Sequence, residues 1–125
     1  MGNIRSVREL EVYDAAMTAA MEIFECTKAF PDEERYAMAD QMRRSSRSVC
    51  ANVAEAWRRR RSEKYFASKI GDAESEAEET RVWIEFAYRC RYLGAERAGA
   101  LDEEYDQLIG QLVHMRANAD DWVLR

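Results

Sequence analysis

Alternating steps of three and four residues between apolar side chains constrain the fold of this chain more than any other feature. One of the two longest such series is Phe66, Ile70, Ala73, Ala77, Thr80, Ile84 and Ala87. This spacing places an apolar stripe along one face of an α-helix and is typical of helices that cross at about 20°. Only five glycines and one proline occur among the 125 residues, too few for the many turns of an all-β fold. The sequence therefore predicts an all-α fold.

The same spacing recurs in other segments and predicts four helices, over about residues 9–29, 32–58, 63–92 and 96–123. The remaining three stripes are Tyr13, Met17, Ala20, Phe24 and Thr27; Ala39, Met42, Ser46, Val49, Val53 and Ala56; and Leu101, Tyr105, Leu108, Leu112, Met115, Ala119 and Trp122. Pro31 can begin the second helix, Ser62 can cap the third, and Gly94 can end the third in the left-handed conformation. Helices of this length with short connections predict one antiparallel, up-down-up-down four-helix bundle over residues 1–125.

The third and fourth helices carry more apolar residues than one core needs. The additional ones are Tyr65, Trp83, Phe86, Ile109 and Val113. An apolar arc of this width needs a second partner, which is usually another copy of the same chain. The sequence therefore predicts self-association, with coverage of these side chains at the bundle ends as the alternative.

Positive charge is concentrated in one segment of an acidic chain. The net charge of −5 divides into −5 over residues 1–42, +7 over residues 43–69 and −7 over residues 70–125. The basic residues that stand out are Arg43, Arg44, Arg47, Arg58, Arg59, Arg60, Arg61 and Lys64. Four consecutive arginines around a helix end point in different directions, so acids of the same chain cannot pair with all of them.

Two interpretations of these arginines stay open. The first is contact with nucleic acid, because the two arginine groups lie about 16–24 Å apart along a helix and guanidinium groups bind phosphate in a bidentate manner. In that interpretation Trp57 stacks on an exposed base. The second is ion pairing with the acidic surplus of the chain, within or between subunits, which the net charge of −7 after residue 69 supports.

A polar face on the second helix is a separate candidate. Ser45, Ser48, Asn52 and Glu55 follow steps of three, four and three, so they share a helix face distinct from the apolar stripe. An amide and a carboxylate at such positions need hydrogen-bond partners. The face is therefore either a structural series of hydrogen bonds across a helix or subunit contact, or a polar binding groove.

Patterns of catalytic and metal-binding residues are missing from the sequence. The single histidine, His114, follows Gln111 by three residues, so the Glu-x-x-His pattern of di-iron proteins is absent. Neither a Gly-x-Ser-x-Gly nucleophile motif nor a phosphate-binding glycine loop is present. Cys26, Cys50 and Cys90 lack Cys-x-x-Cys spacing and are predicted to be reduced thiols. No apolar run has the length of a signal peptide or a membrane span. We expect a cytoplasmic protein that is not an enzyme and uses no cofactor, metal or membrane.

Several short motifs between about residues 9 and 94 match one known pattern. They are Leu10-Glu11-Val12-Tyr13, Phe30-Pro31, Glu34-Arg35-Tyr36, the run Gln41-Met42-Arg43-Arg44-Ser45-Ser46-Arg47-Ser48-Val49-Cys50-Ala51-Asn52-Val53-Ala54-Glu55, Lys64-Tyr65-Phe66 and Tyr92-Leu93-Gly94. In these motifs the chain resembles the family of four-helix-bundle proteins encoded in intervening sequences of bacterial 23S rRNA genes. Where that family commonly has glycines after Ala-Glu, this chain has Ala56-Trp57-Arg58, which should extend the second helix and add positive charge.

The resemblance implies an antiparallel four-helix bundle that assembles as a homopentameric ring and has no catalytic activity. In a related branch, the accessory protein of diversity-generating retroelements, a basic ring surface contacts nucleic acid and the reverse transcriptase. The implied partners are therefore other copies of the chain, RNA or another nucleic acid, and a protein such as a reverse transcriptase. Arg43, Arg44, Asn52 and Glu55 fall on the family motif, so a shared function should involve them.

Overall fold

The computed structural model describes residues 4–124 and contains four α-helices around one apolar core. The helices are α1 (Glu11–Thr27), α2 (Met38–Arg58), α3 (Glu63–Arg89) and α4 (Ala95–Ala117), and 3₁₀ turns cover Val7–Glu9, Asp32–Glu34 and Ala119–Asp121. None of the described residues forms a β-strand. Helix α3 lies between α2 and α4 and packs extensively on both, while α1 packs on α2 and less closely on α4. The prediction of an all-α fold with four helices is confirmed.

The predicted apolar stripes of α2, α3 and α4 form most of the core. Every stripe residue of α2 and α3 is buried, and in the fourth stripe only Trp122 is half-buried. In α1 the buried residues are instead Val12, Ala16, Ala19, Ala20, Ile23 and Thr27. Met17 is 38% exposed, and Tyr13 and Phe24 are half-buried. The buried face of α1 is therefore rotated about the helix axis relative to the predicted stripe, and the predicted residues lie at the edge of the core. Alanines on the buried face allow close packing, and the larger side chains flank it.

Helix α2 begins at Met38 and not near residue 32 as predicted. Pro31 precedes a 3₁₀ turn, and Ala37 has backbone angles φ −126° and ψ −104°, which interrupt the helical conformation. The Oε1 atom of Glu34 accepts a hydrogen bond from the Met38 N–H at 3.4 Å. This carboxylate satisfies one of the free N–H groups at the start of α2.

At the end of α3, the residue in the left-handed conformation is not the predicted one. Arg91 has φ 66°, and the Tyr92 N–H donates to the Ala87 carbonyl oxygen at 2.8 Å. This is the 6→1 hydrogen bond of a Schellman motif. Because α3 ends at Arg89, the left-handed position falls on residue 91, and the prediction for Gly94 was wrong. Gly94 has φ −71° and directly precedes α4.

The last helix is shorter than predicted and ends at Ala117. The Asn118 backbone N–H and side-chain amide both donate to the His114 carbonyl oxygen, at 3.1 and 2.9 Å, and so close the last turn. A 3₁₀ turn then changes the direction of the chain, so residues 118–123 do not continue α4.

Tyr92 joins the connection between α3 and α4 to the connection between α1 and α2. Its hydroxyl donates to the Glu34 Oε2 atom at 2.8 Å, and its ring lies 5.2 Å from the Phe30 ring, measured between centroids. The hydrogen bond to the Glu34 carboxylate, together with burial, raises the pKa of Tyr92 to about 12. The two motifs Phe30-Pro31 and Tyr92-Leu93-Gly94 thus meet in space.

We expect Tyr92→Phe to lower the free energy of unfolding, because it deletes a hydrogen bond to a charged acceptor and keeps the ring contact. Urea denaturation at one protein concentration measures this loss. Tyr88→Phe is the matched control, since Tyr88 is 48% exposed and its hydroxyl makes no hydrogen bond to a residue between 4 and 124. Equal losses in the two variants would contradict a stabilising role for the Tyr92–Glu34 bond.

Candidate nucleic-acid interface

The consecutive arginines form the turn between α2 and α3, here called the arginine turn (residues 58–64). Helix α2 continues through Trp57 to Arg58, as expected from the missing glycines. The Ser62 N–H donates to the Arg59 carbonyl oxygen at 3.1 Å, and the Ser62 hydroxyl accepts from the Tyr65 N–H at 3.3 Å. The prediction of an N-cap at Ser62 is confirmed, and the cap fixes a tight turn between the two helices.

Four cations of the arginine turn face solvent. Arg58, Arg59, Arg61 and Lys64 are exposed. Within residues 4–124, none of these four takes part in an ion pair with a nitrogen–oxygen distance of 4.0 Å or less. The Arg59 guanidinium lies 5.8 Å from the centroid of the Tyr65 ring. The turn therefore presents positive charge that the described part of the subunit does not neutralise by direct pairing.

Trp57 lies beneath Arg60 and not on the surface. It is 8% exposed, and the Arg60 guanidinium carbon lies 3.4 Å from its ring centroid. The Arg60 Nε also donates to the Trp57 carbonyl oxygen at 2.7 Å. Partial burial and the charge of Arg58 lower the pKa of Arg60. The expectation that Trp57 stacks on a base is therefore wrong for this structure, because its ring is buried and covered by a cation.

The C-terminal segment, residues 118–124, contacts the arginine turn and the first turn of α3. The Leu124 N–H donates to the Arg60 carbonyl oxygen at 2.9 Å. The Trp122 ring stacks on the Phe66 ring of α3, with 6.3 Å between centroids and an angle of 13° between planes. The one signal of this contact in the sequence is the position of Trp122 at the end of the apolar stripe of α4. These contacts fix the backbone of the turn, so the cations project from a defined position.

The arginines near the start of α2 have a different environment. The Arg43 Nε donates to the Thr27 hydroxyl at 2.8 Å, and its guanidinium lies 4.8 Å from the Phe24 ring centroid. An Nη atom of Arg43 also lies 3.4 Å from the Phe24 carbonyl oxygen, in the last turn of α1. A cation is favourable at a helix C-terminus, so Arg43 joins α1 to α2. Arg44 and Arg47 are exposed on the same part of α2.

Two members of the predicted polar face connect α2 to α3. The buried Ser45 hydroxyl lies 2.8 Å from the Thr80 hydroxyl, and the Glu55 carboxylate lies 2.9 Å from the Lys69 ammonium nitrogen. Ser45 is 2% exposed, so it cannot reach a ligand in solution. At these two positions the polar face supplies structural hydrogen bonds and an ion pair.

The other two members are Asn52, which bonds within α2, and Ser48, which lines a shallow groove. The Asn52 side-chain amide donates to the Ser48 carbonyl oxygen of the preceding turn at 2.9 Å and so does not cross to another helix. Ser48 and Arg44 line one wall of a groove of about 490 Å³ between α2 and α3, and Glu76 and Glu79 line the other wall. Burial, reinforced by the charge of Glu79, raises the pKa of Glu76. The groove combines cations with two carboxylates, whereas the arginine turn holds five cations and one carboxylate, Glu63.

The remaining titratable residues, the histidine and the cysteines, form no metal-binding cluster among residues 4–124. Between residues 4 and 124 no group of three His, Cys, Asp or Glu residues could hold a metal ion. His114 is exposed and lies 3.4 Å from the Asn118 side chain. Burial raises the pKa of Cys50 to about 11 and also raises that of Cys26, so both thiols stay protonated at neutral pH. No helix in the described part of the chain has the length and apolarity needed to cross a membrane.

A pair of carboxyl groups faces the contact between α1 and α4. The pair is Glu104 of α4 and Glu22 of α1. Partial burial is the main reason that the pKa of Glu104 is raised to about 7 from the ordinary value of 4.5, and a hydrogen bond with Glu22 and repulsion by its charge add to the shift. A folded state with the higher pKa binds the proton more tightly than the unfolded chain. The resulting contribution to stability is complete below about pH 4.5 and is lost as the pH rises through about 7.

We expect Glu104→Gln to raise the melting temperature by about 2–3 °C at pH 8 and to change it little at pH 4.5. The substitution removes a charge whose ionisation is unfavourable beside Glu22 and keeps the shape of the side chain. Calorimetry at both pH values tests this, with the exposed neighbour Glu103 replaced by Gln as the control. A pH-independent gain, or the same gain for Glu103→Gln, would contradict the proposed coupling.

Comparison with known proteins identifies the family. The sequence profile described as 23S rRNA-intervening sequence protein matches residues 8–114. A similar solved structure is that of a protein of unknown function from the S23 ribosomal protein family of Bacteroides thetaiotaomicron, with 27% identity and a TM-score of 0.78, covering 86% of this chain and 96% of that chain. No protein of curated function is significantly similar in sequence. Since the profile match spans most of its length, this chain belongs to the family of 23S rRNA-intervening sequence proteins.

Proposed function

We propose that this protein binds RNA, catalyses no reaction and acts in the cytoplasm, with the arginine turn as its main RNA contact. The observation that carries the proposal is the group of exposed cations at positions 58, 59, 61 and 64, which have no direct ion pair among residues 4–124. Guanidinium groups donate two parallel hydrogen bonds to a phosphate, which an RNA backbone offers at regular intervals. The family description, which refers to 23S rRNA, favours RNA over duplex DNA.

The arrangement proposed for the subunit is an antiparallel four-helix bundle. Two pairs of contacting side chains support it, because Ser45 contacts Thr80 while Glu55, further along α2, contacts the earlier α3 residue Lys69. Short connections between consecutive helices favour the same arrangement.

The proposed assembly is a homo-oligomeric ring, and the resemblance to the family implies five subunits. The exposed apolar side chains support self-association, since Tyr65 is 60% exposed, Phe86 49% and Val113 40%. A ring would present several arginine turns to one RNA molecule. Binding at several turns raises the total affinity well above that of one turn.

A second candidate function is a structural or adaptor ring whose ligand is another protein, such as a reverse transcriptase. The net charge of −7 over residues 70–125 favours this alternative, because carboxylates of a neighbouring subunit could pair with the arginines. In this alternative the arginine turn stabilises the assembly and does not contact RNA. The particle mass of a variant with Arg58, Arg59 and Arg61 replaced by glutamate separates the two candidates, because only the adaptor ring needs these arginines for assembly.

We expect the protein to bind labelled structured RNA more tightly than duplex DNA, with an affinity that falls steeply between about 50 and 200 mM salt. Neutralising about six phosphates would cost roughly 10³-fold in affinity over this range, because each contact releases a condensed counterion. Fluorescence anisotropy measures both ligands under the same conditions. An absence of RNA binding at the lowest salt concentration would contradict the proposal and favour the adaptor ring.

A further inference from the structure

An open groove runs between the C-terminal half of α3 and the N-terminal half of α4, at the opposite end of these helices from the arginine turn. Its volume is about 540 Å³, and its floor includes Val82 and Tyr88 of α3 and Ala98 and Gly99 of α4. Val82 is 46% exposed and Tyr88 48% exposed. A Cβ atom placed on Gly99 would meet no atom within 4 Å, so this part of the floor is empty. The groove therefore offers apolar surface and space to a second molecule.

The rim of the groove is negatively charged. Arg81 is bound by three carboxylates: Asp102 at 2.9 Å, Glu78 at 3.2 Å and Asp106 at 3.5 Å. Glu78, Arg81 and Asp102 line the groove and Asp106 does not, so one cation among three anions leaves a local charge of −2 beside the groove. Glu85 also lines the groove and pairs with Arg89 at 2.9 Å. A phosphate backbone would be repelled here, so the groove selects a different class of ligand from the arginine turn.

We propose that this groove docks a basic amphipathic helix of a partner protein, with aliphatic side chains on the floor and lysine or arginine side chains at the rim. Charge complementarity supports a basic partner, because carboxylates of both α3 and α4 line the groove. An apolar floor between charged walls is the geometry of helix-in-groove recognition. The stretch from Glu78 to Tyr88 is about 15 Å long, which accommodates about three helical turns.

A second copy of this chain fits the groove less well. The exposed cations of its basic segment, residues 43–69, lie on the arginine turn, where residues 59–62 are not helical, and at Arg44 and Arg47 of α2, whose apolar stripe is buried in the core. Arg60 in that turn is folded onto Trp57. Such a turn offers cations but no helical apolar face to cover Val82 and Gly99. The groove is thus matched to a partner that combines both properties.

A labelled helical peptide of about 14 residues, with leucines on one face and lysines on the other, tests the proposal by fluorescence anisotropy. We expect the full chain to bind this peptide at least about tenfold more tightly than a scrambled peptide of the same composition. Gly99→Leu places an apolar side chain in the groove, at a position where a Cβ atom meets no atom within 4 Å, and should abolish that preference. Gly110→Leu is the matched control, because Gly110 is also on α4, also has open space around it, and lies outside this groove.

A second pair of variants tests the charge. Glu78→Gln with Asp106→Asn leaves the Asp102–Arg81 pair intact and should weaken peptide binding about tenfold, whereas Asp14→Asn with Asp40→Asn, on other helices, should not. Equal binding of the scrambled peptide, or equal binding by Gly99→Leu, would overturn the proposal. A change in particle mass in Gly99→Leu would also overturn it, in favour of a second copy as the occupant. RNA affinity of Gly99→Leu should equal that of the wild type, so this proposal and RNA binding can fail independently.

Discussion

Phe66→Ala is expected to lower the free energy of unfolding by about 3–5 kcal/mol. Phe66 is 1% exposed, and its ring stacks on Trp122 at 6.3 Å between centroids. Removing the ring leaves a cavity between the first turns of α3 and the C-terminal segment, and the lost contacts add to the lost burial of apolar surface. The same substitution loosens the segment that supports the arginine turn, so RNA binding should weaken at temperatures near the melting point.

An exposed aromatic residue that is not among the side chains assigned to self-association provides the control for this prediction. Tyr36 is 87% exposed, so Tyr36→Ala should cost less than about 1 kcal/mol. Urea denaturation of both variants at the same protein concentration gives the comparison, because the stability of an oligomer depends on concentration. Similar losses for the two substitutions would show that Phe66 does not hold the C-terminal segment in the core.

Replacing Arg58, Arg59 and Arg61 together by glutamine is expected to reduce RNA affinity about 100-fold at about 150 mM salt. Each arginine lost removes a phosphate contact and the counterions that the contact releases. The slope of log affinity against log salt should therefore become shallower by about 2–3. Helicity should be unchanged, because these side chains are exposed and make no ion pair to a residue between 4 and 124.

A second triple variant separates local contact from overall charge. Arg5, Arg8 and Arg97 are also exposed and lie on other parts of the chain, so their replacement by glutamine changes the net charge by the same amount. RNA affinity of this control should fall less than about threefold. Anisotropy titrations of the two variants in one buffer give the comparison. An equal loss of affinity in both would mean that net charge, and not the arginine turn, determines binding.

The helices could be predicted from the sequence wherever large apolar residues mark the buried face. The stripe of α3 was predicted residue by residue because Phe66, Ile70 and Ile84 are unambiguous core residues at helical spacing. In α1 the buried face consists largely of alanine, which is apolar but small. The prediction therefore relied on the larger side chains Met17 and Phe24, which lie at the edge of the core. The late start of α2 depends on the backbone of Ala37, for which the local sequence carries no signal.

The candidate site was predictable in its position but not in its detail. The arginine run and the cap at Ser62 follow from local sequence and are where expected. The burial of Trp57 under Arg60 was not predictable, because spacing does not reveal which side chain covers an aromatic ring. The return of Leu124 to the Arg60 carbonyl is a contact between distant parts of the chain, and it depends on where α4 ends.

Size-exclusion chromatography with light scattering, on a mixture of RNA with the variant Arg58→Glu, Arg59→Glu and Arg61→Glu, tests the central claim most directly. One run reports both the mass of the protein particle and whether RNA elutes with it. The proposal predicts a particle of wild-type mass that elutes without RNA, whereas the wild-type protein elutes with RNA. A particle of lower mass would place the arginines in subunit contacts, and an intact particle that still carries RNA would place the RNA elsewhere; either result would contradict the proposal.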